Sequence, residues 1–146
     1  MATVFDVAKY ILEKQGPLPA LKLQKLVYYS QAWSLVWDGK PLFGEEIQAW
    51  RGGPVVPALY NARKGMIQIS AGDLHQGDPS ALTADQIETI DAVLDFYGKM
   101  APWQLSNLTH QEDPWLKARE RVGAGPGDSS NEKILEYDML EYYANV

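Results

Sequence analysis

Residues 20–37, ALKLQKLVYYSQAWSLVW, constrain the fold more than any other stretch. Leu21, Leu23, Leu26, Val27, Tyr28, Tyr29, Ala32, Trp33, Leu35, Val36 and Trp37 occupy most of the circumference at 100° per residue. A helix that is apolar nearly all round belongs inside a protein, so the spacing predicts a central buried helix from about Ala20 to Trp37. Lys22, Gln24 and Lys25 are expected to leave a narrow wet side near its start. No apolar run reaches the ~20 residues of a membrane span, so the segment is read as a core helix.

Other elements assemble around it. Thr3 is a fitting N-cap for a helix to about Gln15, with Val4, Ala8, Ile11 and Leu12 on one face, and Gly16, Pro17 and Pro19 end it. Asp38-Gly39-Lys40-Pro41 reads as a turn. Glu45–Arg51 alternates as a short strand, and Pro54 after Gly52-Gly53 is placed in the first turn of a helix carrying Val55, Leu59 and Tyr60. That helix is expected to end near Gly65. Met66–Ser70 is expected to pair with the first strand, and 71–80 is a polar loop. Thr83 and Gln86 form a capping box for a helix whose stripe is Ile87, Ile90, Val93, Leu94, Tyr97 and Met100. Pro102 and Asp113-Pro114 start two short helices, Trp103–Thr109 and Trp115–Arg121. Gly123–Ser130 is a loop. Ser129 and Glu132 suggest a cap for a last helix, Asn131 to about Tyr143. The expected fold class is mainly α (α+β): one helical domain over 1–146 around a central helix, with a small two-stranded β element.

Composition excludes several chemistries. There is no cysteine, so disulfides, thiolate metal sites and cysteine nucleophiles are out. His75 and His110 are the only imidazoles, and neither has metal-ligand spacing to other ligands. Gly52-Gly53 and GAGPG match no phosphate-binding pattern. No catalytic residue, metal or cofactor is assigned. His110 with Glu112 or Asp113 could act as a general base, but no nucleophile accompanies it, and a packed structural histidine is the better reading. The net charge of −6 argues against a nucleic-acid partner bound by phosphate neutralisation. Charge is also uneven, with net +3 over 1–64 and net −9 over 65–146. The N-terminus is not a signal peptide, because Asp6 and Lys9 interrupt it, so a cytoplasmic location without membrane association is expected.

The aromatic residues carry more information. Trp33, Trp37, Trp103 and Trp115 read as core anchors. Trp50 beside Arg51, Tyr60 and the pair Tyr142-Tyr143 fall outside the core stripes. Amphipathic aromatics beside arginine are what protein interfaces favour.

A long ordered motif runs through these elements: Leu21-Lys22-Leu23-Gln24-Lys25-Leu26-Val27-Tyr28-Tyr29-Ser30-Gln31-Ala32-Trp33, then Gly39-Lys40-Pro41-Leu42-Phe43. It continues as Glu46, Ala49-Trp50, Gly53-Pro54-Val55-Val56-Pro57 and Leu59-Tyr60, with Leu108-Thr109-His110 and Pro114-Trp115 further on. This pattern closely resembles the Panacea domain family of phage-associated proteins and bacterial antitoxins, over about residues 5–122. The resemblance implies a mainly helical fold with a small β element. It also implies a non-enzymatic antitoxin that binds and neutralises a protein toxin encoded by an adjacent gene. The candidate partner-binding residues are Lys25, Gln31, Trp50, Arg51, Tyr60, Thr109 and His110, of which Lys25, Gln31, Trp50, Thr109 and His110 are expected to share one face. Homo-oligomerisation stays open, and the two alternative functions are an adaptor that hands a toxin to a protease and a phage effector enzyme with a His110-centred pocket.

Overall fold

The computed structural model describes all 146 residues. Seven helices surround one another in the order α1 (Val4–Gln15), α2 (Ala20–Trp37), α3 (Pro57–Ala62), α4 (Ala84–Tyr97), α5 (Pro102–Thr109), α6 (Asp113–Arg121) and α7 (Glu136–Ala144). Four short strands, β1 (Leu18–Pro19), β2 (Gln48–Trp50), β3 (Gly53–Val55) and β4 (Gln68–Ile69), form two antiparallel pairs. The protein is mainly α with a small β component, as its patterning predicts.

α2 is the axis of the molecule. It packs against α1, α4, α5, α7 and β3, and Leu23, Leu26, Val27, Tyr28, Tyr29 and Ala32 are buried along it. Local signals set the other helix starts. Thr3 with Asp6 and Thr83 with Gln86 each close a reciprocal capping box, satisfying two backbone donors that have no helical partner. Pro57, Pro102 and Pro114 occupy first-turn positions, where a missing N–H leaves no helical bond unmade.

The structure corrects several sequence expectations. Lys25 and Gln24 are buried, because backbone groups of the β2–β3 segment supply their hydrogen-bond partners. Pro54 lies in β3 and not in a helix, and α3 starts at Pro57. β2 pairs with β3, while 68–69 pairs with Leu18–Pro19. Trp37 is 52% exposed and Trp103 64% exposed, so neither is a core anchor. Trp115 and Tyr143 are buried. The last helix starts at Glu136 without a Ser129 cap. Residues 132–134 are extended beside β2 instead: the Ala49 N–H donates to the Glu132 carbonyl and the Ile134 N–H to the Ile47 carbonyl. No helix is long and apolar enough to cross a membrane.

Candidate functional site

Most of the motif's polar residues converge on the β2–β3 hairpin. The register Gln48 to Val55, Ala49 to Pro54 and Trp50 to Gly53 leaves Arg51-Gly52 as a two-residue turn. Strand alternation buries Ala49 and sends Gln48 and Trp50 to the other face. On that face the Trp50 indole N–H donates to Gln48 Oε1 at 2.9 Å, and Gln48 Nε2 donates to Glu46 at 2.8 Å. The Trp50 ring meets Tyr60 of α3 edge to face, with centroids 5.0 Å apart. Arg51 at the turn is exposed.

Behind the hairpin, helices supply donors to its carbonyls. From α2, Lys25 Nζ donates to the Pro54 carbonyl at 3.1 Å. Gln24 also accepts from the Val56 N–H and donates to its carbonyl. From α6, Trp115 Nε1 donates to the Trp50 carbonyl at 2.8 Å, and Arg119 Nη1 to that of Ala49 at 3.0 Å. Arg119 also donates to the Gly125 and Asp128 carbonyls, lies over the Trp115 ring at 4.7 Å, and so ties the 123–130 loop to the same clamp. The edges of the ribbon are thus occupied, by residues 132–134 beside β2 and by Lys25 and Gln24 beyond β3. A strand-addition site on this hairpin, which a bare two-stranded ribbon would offer, is closed.

Gly53 makes the close fit possible. Its φ of +123° is a conformation that L side chains rarely adopt, and a Cβ there would lie 2.6 Å from Lys25 Cε and 3.1 Å from Thr109 Oγ1. Burial lowers the Lys25 pKa to about 7, a consequence of placing an ammonium where a single carbonyl replaces water. His110, which follows α5, packs its ring 4.3 Å from that of Trp115, with Nε2 buried and unpartnered. Burial, then the positive charges of Lys25 and Arg119, push its pKa below the ordinary value, so the imidazole is neutral at pH 7. Thr109 turns its hydroxyl to the Ser106 carbonyl.

The candidate residues therefore divide by position. Trp50, Arg51 and Tyr60 are on the outer side of the hairpin and α3. Lys25, Thr109 and His110 stand behind it. Gln31 is elsewhere: its Oε1 accepts from the Leu42 and Phe43 N–H groups and its Nε2 donates to the Phe43 carbonyl, fixing the turn after α2. Sequence reasoning missed Gln24 and Arg119 as clamp residues and treated Trp115 as core only. Trp115 carried a signal through its place in the motif, whereas Arg119, in the charged run LKARER, carried none. Nowhere do three or more acidic or imidazole side chains converge into a metal cage.

The family described as "Antitoxin SocA-like, Panacea domain" matches residues 23–116, from the first buried turn of α2 through the hairpin to the start of α6. The chain belongs to the Panacea family. It is 33% identical over 137 residues to the protein named Antitoxin SocA from Caulobacter vibrioides (strain NA1000 / CB15N), covering 83% of this chain and 70% of that protein. No solved structure matches the chain. The Panacea match contains the hairpin, Lys25, Trp50, Tyr60, Thr109, His110 and Trp115, so the clamp lies largely inside the family region. Arg119, residues 132–134 and α7 lie beyond it.

Proposed function

We propose that this protein is an antitoxin that neutralises a cognate protein toxin by direct, non-catalytic binding, as a single domain working in the cytoplasm beside a toxin encoded by an adjacent gene. The observation that carries the proposal is the similarity to Antitoxin SocA across most of the chain, within the Panacea family. The geometry supports a binding role. The motif's histidine is packed behind the hairpin against the Trp115 ring, a placement that fits a structural role. Trp50, Arg51 and Tyr60 instead form a rigidly backed aromatic and cationic patch, of the composition that dominates binding energy at protein interfaces.

Co-expression with the neighbouring gene tests this reading. Growth rescue from that gene's toxicity, with co-purification of the two proteins, is expected. Toxicity undiminished by this protein, or rescue without any complex, contradicts it.

A further inference from the structure

A cavity of about 240 Å³ opens beside the Trp50–Tyr60 pair. It lies between the start of α2, the hairpin, α3 and the segment leading to β4, and its walls are mostly apolar: Leu23, Val55, Leu59 and Ile69 are buried residues. Leu21 and Tyr60 line it while remaining exposed, and the neighbouring Ile67 is 86% exposed. The volume equals that of roughly eight liquid waters. One large side chain is the scale of occupant that fits.

Its charge narrows the occupant further. The ionisable residues that line it are Lys25 and Arg63, both basic, in a chain whose net charge is −6, and Arg63 is the one that keeps its charge. Neither is fully partnered. Lys25 is 0% exposed and makes one hydrogen bond, to the Pro54 carbonyl. Arg63 pairs through Nη2 with Asp73 at 3.3 Å, while its Nε is buried with no acceptor. The rest of the guanidinium is part-exposed and makes no further hydrogen bond, and a carboxylate is the group that pairs with it best.

We infer that this cavity receives a large apolar side chain of the partner protein, flanked in the partner's sequence by an acidic residue whose carboxylate meets Arg63. The inference rests on the antitoxin reading for the identity of the partner, and it names the chemistry of the partner's anchor. Trp50 and Tyr60 form the aromatic wall against which the anchor packs, and desolvation by the apolar walls strengthens the ion pair.

The full protein, titrated with capped pentapeptides and followed by NMR at the Trp50 indole, tests the inference without a toxin. The probes are Ala-Asp-Phe-Asp-Ala, its lysine counterpart Ala-Lys-Phe-Lys-Ala, and Ala-Asp-Ala-Asp-Ala. The acidic phenylalanine peptide should shift the indole signal and bind at least about tenfold tighter than either control. Arg63→Gln should reduce its preference over the lysine peptide to less than about threefold, with the thermal midpoint of the variant confirming that it is folded. Equal binding of the acidic and basic peptides, binding independent of phenylalanine, or no binding at the indole overturns the inference. A failure of the antitoxin reading shows separately, as absent growth rescue, whatever the peptides do.

Discussion

The two halves of α2 bury polar groups in opposite ways. Near its start, Lys25 places an amine donor against a backbone carbonyl and so holds the hairpin. One turn later, Tyr28 and Tyr29 help to hold the C-terminal helix through an anion. Tyr29 and Tyr143 each donate to Glu112 Oε1 at 2.7 Å. With the Tyr143 proton spent on Glu112, Tyr28 donates to Tyr143 across 2.9 Å. Tyr29 also stacks on Tyr97, with centroids 4.0 Å apart. The tail end is a closed knot of buried aromatic rings. The hairpin end has a buried back and an exposed front. The comparison teaches that one helix can lock a terminus on one side and brace a presenting surface on the other, using the same expedient of helix side chains that satisfy buried polar groups.

Breaking the tail knot should have the largest effect. Tyr143→Ala removes a buried ring and one of two donors to Glu112, and should cost roughly 3–5 kcal/mol by chemical denaturation. At the hairpin end, Gly53→Ala forces a Cβ into the Lys25 stem at a positive φ. It should cost about 2–3 kcal/mol and broaden the Trp50 and Arg51 amide signals, while the Tyr143 region stays ordered.

The two ends should also respond to pH with opposite sign. The unfolded chain keeps the Lys25 proton up to about its ordinary 10.5, and the folded protein only to about 7. Unfolding therefore takes up a proton between these values, and stability should rise with pH across that window. Lys25→Met should reduce the rise, leaving the part contributed by Lys22, whose pKa burial also lowers. Burial raises the Glu112 pKa above its ordinary 4.5, opposed by hydrogen bonds from Tyr143 and Tyr29. Unfolding then releases a proton between the ordinary value and the raised one, so stability should fall as pH climbs through that interval. Glu112→Gln should remove that fall. Urea midpoints measured across pH for the two variants check both signs.

How much of this could be read in the residues differs between the same two regions. α2 and the capped helices were legible, because an all-round apolar run and Thr–x–x–Asp/Gln boxes are local signals. The burial of Lys25 was not. Polarity placed it in water, and only the backbone carbonyl of Pro54, 29 residues away, explains its position. Strand pairing failed for a similar reason. Met66–Ser70 and Glu45–Arg51 look like partners by alternation, but Gly53 permits a tighter reversal, and a two-residue strand at Leu18–Pro19 has no pattern to read. Ser129 and Glu132 resemble a cap, yet the backbone there is taken up by β2. Of the candidate site, Trp50, Arg51 and Tyr60 stood out as aromatics and arginine off the core stripes. Gln31, chosen from the motif, proved to be a turn-fixing residue, since a family motif marks scaffold and surface positions alike.

Trp50→Ala tests the central claim, that the hairpin is held from behind in order to present its front. Its indole is part-exposed and bonded only to Gln48 at its rim. The smallest change in stability among these variants is therefore expected, below about 1 kcal/mol. Affinity for the proposed toxin partner should fall by at least about tenfold, equivalent to ~1.4 kcal/mol. Loss of several kcal/mol of stability, or unchanged toxin affinity in a folded variant, would contradict the account.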